Sequence, residues 1–308
     1  MVWCGAKSNF YAILSFMDKD KNIAGTSKKI IVFYHDDEDG FTGAWAAWKK
    51  LKDKALYISI NYGRYPNDYF LQINGKEIYF IDCFVDMDEM KNMAEKNKII
   101  LIDHHLSSKE IAKILPGSLH DITRSGAVLS WQYFHPNKKT PRFLLHIEDE
   151  DIWKFKLPFT KEISAVLELY DFDFKKWDKL VKIFESKDKK KYSGLVKTGK
   201  ILLKYQEALI NKIIERGHKA VFEGYESFVV NSPVFISEIG HKIYEGTGKV
   251  AIVWSHRKKS GNKKIIVSLR SDGKINVAEL AEKYGGGGHK AAAGFPVEGN
   301  INFPWQIK

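Results

Sequence analysis

Short apolar runs in the first part of the chain end abruptly at histidine or aspartate. These runs are Ile30–Phe33, Ile78–Ile81 and Ile99–Ile102. Short apolar runs rich in β-branched and aromatic residues are typical of strands buried on both faces of a parallel sheet. Because ligands bind beyond the carboxyl ends of such strands, the polar residues that follow these runs are the first candidates for a functional site.

Between these runs the apolar pattern changes to the helical period, which predicts alternating strands and helices. The predicted strands are Lys29–Tyr34, Leu56–Asn61, Glu77–Ile81 and Lys98–Ile102. The predicted helices are Thr42–Leu51, Asp86–Lys96, Ser107–Lys113, Ser125–Phe134 and Arg142–Ile152, and the pattern stays helical over residues 161–186. This alternation predicts an α/β domain with a parallel sheet.

A polar stretch over residues 186–194 breaks the periodicity and predicts a boundary. A long amphipathic helix follows, with apolar positions at helical spacing from Leu195 to Ile214. The pattern then changes to strands with helices among them. The sequence therefore predicts a larger α/β domain over residues 1–190, a linker helix over 191–217 and a smaller α/β domain over 218–308.

Composition is that of an ordinary globular protein, and no apolar run approaches the roughly 20 residues that span a bilayer. The N-terminus has no basic stretch ahead of a long apolar core, so we expect no cleaved signal peptide and no membrane association. Two cysteines, Cys4 and Cys83, are too few for a cysteine-rich zinc site or a disulfide framework, which indicates a cytoplasmic location. The net charge of +11 favours a polyanionic partner.

The first apolar run is followed by His35, Asp37 and Asp39, each two residues from the next. Residues two apart on an extended chain point the same way, so this spacing can aim three ligands at one place. Imidazole and carboxylate groups are the ligands that hydrolytic divalent metals use. Asp82 follows the second run, where a carboxylate can bridge two metals about 3.5–4 Å apart.

The third run ends at Asp103, His104 and His105, the most specific signal in the chain. We expect His104 to bind metal through one ring nitrogen. Asp103 would orient His104 by accepting a hydrogen bond from its other ring nitrogen, a common arrangement around metal ligands. His105 would face the substrate, where it could contact a phosphate oxygen or donate a proton.

Four consecutive acidic residues, 148–151, end the helix that begins near Arg142. Carboxylates at a helix C-terminus oppose the helix dipole, so their clustering suggests a cation nearby. Asp149 and Asp151 face different directions on a helix, so we expect only one to be a ligand. We favour Asp149 as this ligand, and Asp151 is the alternative.

A run of four glycines, 285–288, precedes His289 in the predicted second domain. Without side chains, the backbone N–H groups of Gly286, Gly287 and Gly288 can close on a phosphate, and His289 adds a polar group. Arg270 follows a predicted strand, and its guanidinium suits bidentate contact with phosphate.

In this order, the motifs resemble those of the DHH/DHHA1 phosphoesterase superfamily. Asp103-His104-His105 is the motif that names the family, and Gly285–His289 resembles the substrate-binding motif of the DHHA1 domain. The resemblance implies a catalytic DHH domain joined by a linker helix to a DHHA1 domain, and two Mn²⁺ ions, with Mg²⁺ as the alternative. One metal would be held by His35, Asp37 and Asp82, and the other by Asp39, Asp82, His104 and Asp149. Substrate phosphate would be held by His105, Arg270, His289 and the glycine run.

The predicted function is hydrolysis of short oligonucleotides or linear dinucleotides to mononucleotides by a hydroxide that two metals activate. Three alternatives stay open. One is a hydrolase of cyclic dinucleotides, nucleoside bisphosphates or polyphosphate; another is a single-strand-specific exonuclease on longer DNA or RNA; the third is a non-catalytic nucleic-acid-binding subunit. The sequence also leaves open the substrate length and polarity and the oligomeric state, a homodimer included.

Overall fold

The computed structural model of the chain describes residues 23, 26–60, 70, 72–259, 262–298 and 303–307. Within these ranges, the side chains at positions 257–259, 262–264 and 298 are outside the description. Asn61, the last residue of one predicted strand, also lies outside the described residues. The chain forms two compact units that divide between Leu203 and Lys204.

A five-stranded parallel sheet forms the centre of the first unit, as the sequence predicts. Its strands are β1 (Ile30–His35), β2 (Ala55–Ile60), β3 (Glu77–Ile81), β4 (Lys98–Asp103) and β5 (Leu119–His120). The strand order is β2-β1-β3-β4-β5, and every neighbouring pair is parallel. The carboxyl ends of the strands therefore lie at the same edge of the sheet.

Helices cover both faces of this sheet because its strands are apolar on both sides. Ile31 and Phe33 belong to one hydrophobic cluster, whereas Val32 and Tyr34 belong to the other, as alternation along a strand requires. The helices are α1 (Glu38–Leu51), α2 (Met87–Ala94), α3 (Lys109–Ile114), α4 (Gly126–Phe134), α5 (Arg142–Asp151), α6 (Thr160–Leu167) and α7 (Phe174–Glu185). The sequence pattern over 161–186, read as continuous, is thus two helices.

A long helix, α8 (Lys189–Ile214), begins within the polar stretch that the sequence analysis treats as a boundary. Lysines are good helix formers, so the polar residues there join the first turn of the helix instead of forming a loop. Among the described residues, none of the helices is long and apolar enough to cross a membrane.

The second unit contains a seven-stranded mixed sheet in the order β10-β11-β9-β8-β7-β6-β12. Its strands are β6 (His218–Phe222), β7 (Tyr225–Asn231), β8 (Val250–Lys259), β9 (Asn262–Arg270), β10 (Gly287–His289), β11 (Ala292–Glu298) and β12 (Trp305–Ile307). Its helices are α9 (Ile236–Thr247) and α10 (Val277–Glu282). The predicted fold class is confirmed: a parallel-sheet α/β domain, a linker helix and a smaller α/β domain.

Candidate metal centre

The polar residues that follow β1, β3 and β4 lie together at the carboxyl edge of the parallel sheet. Three groups of metal-ligating side chains form there, and within each group the candidate atoms lie within 4.8 Å of one another. The groups are, first, His35, Asp37 and Asp82; second, Asp82, Asp103, His104 and His105; and third, Asp39, His104 and Asp151. Because Asp82 and His104 each belong to two groups, the eight side chains form one continuous acidic cluster.

Asp37 connects this cluster to the start of α1. It is the N-cap residue, and its Oδ1 accepts a hydrogen bond from Gly40 N at 2.9 Å. Its Oδ2 lies 2.5 Å from His35 Nδ1. Burial by itself lowers the pKa of His35, but the carboxylates of Asp37 and Asp82 outweigh burial and raise the pKa to about 9. In the metal-free protein, a proton on His35 thus supplies positive charge among these carboxylates.

Asp39 is held by the N-terminus of α4. Gly126 N donates to one of its carboxylate oxygens at 2.6 Å, and Ala127 N donates to the other at 3.0 Å. The first N–H groups of a helix have no partner within the helix, and they carry the positive end of its dipole, so they favour a carboxylate. Burial nevertheless raises the pKa of Asp39, because the cluster is nearly closed to water.

Asp82 lies at the centre of the cluster. It is 2% exposed, and its Oδ1 lies 3.2 Å from His104 Nε2 while its Oδ2 lies 3.7 Å from His35 Nδ1. Its φ of +55° places a non-glycine residue in the left-handed region, which costs about 1–3 kcal/mol and is typical of functional sites. Burial and the neighbouring carboxylates of Asp39 and Asp37 raise its pKa well above the usual range.

Asp103 orients His105 and not His104, contrary to the sequence-based expectation. Its Oδ1 accepts a hydrogen bond from His105 Nδ1 at 2.7 Å and from the backbone N of His104 at 2.7 Å. The reason is geometric: the chain turns directly after β4, so the second histidine folds back toward the aspartate. His104 instead directs Nε2 at Asp82, and also lies 3.5 Å from Asp151 Oδ2.

The structure places Asp151, the alternative, in the cluster and places Asp149 elsewhere. Asp149 accepts hydrogen bonds from Lys156 N, Leu157 N and Thr160 Oγ1 at 2.7–2.9 Å, so the following loop uses both of its oxygens. The helical period of α5 agrees with this placement. Asp151 lies seven residues after buried Leu144, hence on the apolar face of α5, which packs against neighbouring helices such as α1 and α4.

Four buried side-chain atoms of the cluster have no hydrogen-bond partner. Within the described part of the chain, only seven such atoms occur, so more than half of them lie at this one place. The four atoms are Asp82 Oδ1, Asp103 Oδ2, His104 Nε2 and Asp151 Oδ2. Buried polar atoms are normally paired, because leaving one unpaired costs about 1–3 kcal/mol. Carboxylate oxygens and an imidazole nitrogen are the donor set of a divalent cation, so these residues fit a metal site.

Gly126 allows two acidic side chains to approach the start of α4. A Cβ atom at this position would lie 2.6 Å from Asp82 Cβ and 2.9 Å from Asp39 Oδ2. Real Cβ atoms do not make contacts this short with carbon, so any larger residue would displace both carboxylates. The sequence pattern gives no sign of this role, because it depends on a contact between distant segments.

Gly126→Ala is expected to weaken metal binding and metal-dependent activity by about 10–100-fold, the usual cost of disturbing the residues that position metal ligands. The matched control is Gly194→Ala in α8, where an added Cβ would contact nothing within 4 Å. Metal affinity by calorimetry and unfolding by circular dichroism should be measured for both. Wild-type metal affinity in a folded Gly126→Ala protein would contradict this role.

Two predicted phosphate-binding residues of the second unit, Arg270 and His289, lie on β9 and β10, the two strands on either side of β11. His289 pairs with Ala292, which in turn pairs with Arg270, so all three side chains are on one face of the sheet. The guanidinium of Arg270 donates to Ser237 Oγ at 3.0 Å. The glycine run does not form a loop at a helix N-terminus, because Gly287 and Gly288 belong to β10.

Close packing of the backbone is enough to explain why two of these positions are glycine, and no bound ligand is needed. A Cβ on Gly286 would lie 2.2 Å from Gly294 O, and one on Gly288 would lie 2.5 Å from Ala292 O. Gly287 is different, since an added Cβ there would meet nothing within 4 Å. The placement of His289 and Arg270 on one face therefore supports a binding surface better than the glycine run does.

Comparison with known proteins agrees with the motifs. Residues 236–304 match the family model of the DHHA1 domain. An uncharacterized protein of Acanthamoeba polyphaga mimivirus is 27% identical over 316 residues, which cover 94% of this chain and 73% of the viral protein.

Two solved structures share the fold. One is the DHH domain of a protein assigned to a family of ribosomal proteins, with a TM-score of 0.57 and 16% identity, covering 95% of this chain and 89% of that chain. The other is RecJ from Thermus thermophilus in complex with Mn²⁺, with a TM-score of 0.50 and 17% identity, covering 87% of this chain and 49% of RecJ. The resemblance to the DHH/DHHA1 phosphoesterase family is confirmed.

Proposed function

We propose that this chain is a Mn²⁺-dependent phosphodiesterase that hydrolyses short oligonucleotides or linear dinucleotides to mononucleotides. The observation that carries the proposal is the group of four buried polar atoms without a hydrogen-bond partner among eight buried or half-buried side chains that could bind metal. Such a group is costly to fold without a cation, and two overlapping ligand sets correspond to a pair of cations. The crystal structure of RecJ with Mn²⁺ shows that a protein of this fold holds that metal.

We group the proposed ligands into two sets that share Asp82. The first set is His35, Asp37 and Asp82, and the second is Asp39, Asp82, His104 and Asp151. Asp151 takes the place that the sequence analysis gave to Asp149. When bound, the two cations would activate water at neutral pH and stabilise negative charge on the phosphate.

The remaining residues of the cluster have roles that do not require metal binding. Asp103 Oδ1 fixes the ring of His105 through Nδ1, so Nε2 is the nitrogen with which His105 would contact a phosphate oxygen or protonate the leaving oxygen. The backbone N of His104 is bonded to the same Asp103 oxygen. Asp103 therefore orients the ring of His105 and holds only the backbone of His104.

We also propose that the second unit, considered by itself, binds phosphate. His289 and Arg270, on one face of the mixed sheet, would hold a terminal phosphate, with Gly287 allowing close approach of the backbone. The net charge of +11 favours a substrate with several phosphates over a small neutral one.

The first experiment is a substrate panel with purified protein and Mn²⁺. The panel contains a linear dinucleotide, RNA and DNA of ~5 and ~25 nucleotides, a cyclic dinucleotide and a nucleoside bisphosphate, which bracket the roughly 4–16 nucleotides of single-strand sites. We expect the shortest linear substrates to be hydrolysed fastest and EDTA to abolish the reaction. Preference for the ~25-mer would replace the proposal with an exonuclease, and no turnover of any substrate would refute phosphodiesterase activity on these substrates.

A further inference from the structure

The segment immediately after Asp151 presents large apolar side chains to solvent. We call residues 152–159 the aromatic loop. Trp153 is 53% exposed, Phe159 is 41% exposed and Leu157 is 37% exposed, although residues of these types are normally buried. The ring of Phe155 packs edge-on against Trp153 with the ring centroids 4.9 Å apart.

Trp153 occupies a backbone position that usually belongs to glycine. Helix α5 ends with Trp153 N bonded to Glu150 O and Lys154 N bonded to Asp149 O, which is the hydrogen-bond pattern of a Schellman motif. The residue at the position of Trp153 adopts the left-handed conformation, with φ of +55°. Glycine does so without steric cost, whereas a tryptophan there is an outlier. The backbone is therefore strained at this position, and the residue there carries a large aromatic ring.

The strain continues through the loop. Phe155 has φ of +46° and Phe159 has φ of +71°, so three of the seven non-glycine residues with positive φ in the described parts of the chain are aromatic residues of this one segment. Strained residues persist only where their surroundings fix them, and they concentrate at functional sites.

Asp149 is what fixes the loop. Its side chain accepts hydrogen bonds from Lys156 N, Leu157 N and Thr160 Oγ1, and its backbone oxygen accepts from Lys154 N and Phe155 N at 2.9 and 3.0 Å. Five hydrogen bonds to one residue constrain the backbone of the loop. Asp149 precedes Asp151 by two residues, so the loop is attached to the same helix end that presents a metal ligand.

Lysine side chains alternate with the aromatic residues. Lys154 and Lys156 are exposed members of the loop. Lys161 Nζ lies 5.0 Å from the centre of the Phe155 ring, and Lys200 Nζ lies 5.3 Å from that of Phe159. Exposed aromatic rings beside cations are how proteins bind single-stranded nucleic acid, because rings stack on bases and lysines attract the backbone.

We propose that the aromatic loop binds single-stranded nucleic acid, with Trp153 stacking on a base next to the phosphate at the acidic cluster. This inference deepens the proposed function, on which it rests for the identity of the substrate. Trp153 is two residues from Asp151, so their Cα atoms are within about 7 Å, roughly the reach of one nucleotide from the reacting phosphate. A protein partner would fit the aromatic loop less well than a nucleic acid, because it would have to supply an acidic residue for each lysine of the loop.

The test compares Trp153→Ala and Trp153→Tyr with wild type and with Leu169→Ala, a change at another exposed apolar residue of the same unit. Alanine keeps the Cβ atom and hence the backbone strain, so only the ring is removed. Binding of a fluorescein-labelled ~8-nucleotide DNA is measured by anisotropy in EDTA, and kcat and KM are measured with Mn²⁺. We expect Trp153→Ala to raise Kd and KM about tenfold with kcat little changed, and Trp153→Tyr to restore most of the affinity.

An oligonucleotide with one abasic position, moved along the strand, separates stacking from a structural role. At the position that Trp153 contacts, wild type should lose affinity to the level of Trp153→Ala, and Trp153→Ala should lose nothing further. Equal Kd for Trp153→Ala and wild type, or a tenfold difference that persists on every abasic strand, would overturn the inference. If wild type hydrolyses nothing, the proposed function fails, whereas the anisotropy measurement still decides the role of Trp153.

Discussion

Replacing Asp82 with asparagine is expected to abolish metal-dependent hydrolysis without destabilising the metal-free protein. Asp82 is shared by both proposed ligand sets, and it lies within 3.7 Å of His35, His104 and His105. Loss of a shared ligand removes several kcal/mol of transition-state stabilisation, and about 4 kcal/mol corresponds to about a 1,000-fold slower reaction. We therefore expect activity to fall at least about 1,000-fold.

Although Asp82→Asn should lower activity, it should leave the stability of the metal-free protein unchanged or raise it. Without metal, Asp82 is buried beside Asp39 and Asp37, and both burial and these like charges disfavour its ionised form. An amide of the same shape removes this repulsion. We expect the free energy of unfolding of the metal-free variant to equal or exceed that of wild type, and we expect Mn²⁺ to raise its melting temperature less than it raises that of wild type.

The measurements are activity with Mn²⁺ and denaturant unfolding in EDTA and in Mn²⁺. Asp88→Asn, on the exposed side of α2, is the control for loss of a carboxylate away from the cluster. A folded Asp82→Asn protein with wild-type activity would refute the metal site. A variant that is much less stable than wild type in EDTA would instead show that Asp82 stabilises the fold by itself.

Asp151→Asn and Asp149→Asn should have contrasting effects, although the two residues are only two positions apart. Asp151→Asn is expected to reduce activity about 1,000-fold with no loss of metal-free stability, because Asp151 Oδ2 lies 3.5 Å from His104 Nε2 but accepts no hydrogen bond. Asp149→Asn is expected to destabilise the protein by about 2–4 kcal/mol, since it weakens hydrogen bonds from Lys156 and Leu157 that are worth about 1.5–3 kcal/mol each when the acceptor is charged.

The pH dependence of the Asp149 effect follows from its pKa. Burial by itself raises this pKa, but hydrogen bonds from Thr160 and from backbone N–H groups outweigh burial and lower it. A carboxyl group with a lowered pKa contributes stability above its unfolded pKa of about 3.9 and loses the contribution as the pH falls through the folded pKa. The difference in unfolding free energy between wild type and Asp149→Asn should therefore be full at neutral pH and shrink below about pH 4.

Metal binding separates the two variants in one experiment. Calorimetric titration with Mn²⁺ should show a lost or weakened site in Asp151→Asn and wild-type sites in Asp149→Asn, provided that the titration is run at a temperature where both are folded. The reverse result would return Asp149 to the ligand set that the sequence analysis favoured. Equal loss of metal in both variants would mean that the loop after α5 is needed to hold Asp151 in place.

The sequence alone determined the features of this protein that depend on neighbours along the chain. The strand Glu77–Ile81 was predicted at its observed bounds, and β1 and β4 were predicted to within one residue. Because parallel strands bring their carboxyl ends to one edge, the meeting of His35 and Asp82 followed from the order of apolar runs. Local alternation of hydrophobic residues is a short-range signal, and a sequence displays it directly.

Only the tertiary structure decided the features that depend on contacts between distant segments. Whether Asp149 or Asp151 faces the cluster depends on how α5 is rotated about its axis against the neighbouring helices, since side chains two apart on a helix diverge by about 200°. A glycine is needed at position 126 because side chains more than forty residues away in sequence pack against it. Asp103 bonds to the ring of His105 because of the turn that follows β4. The left-handed backbone of Trp153 after α5 was also not predictable from the sequence, because the folded loop imposes it and tryptophan has no preference for it. Packing of remote elements sets these details, and a linear pattern of residue types does not specify it.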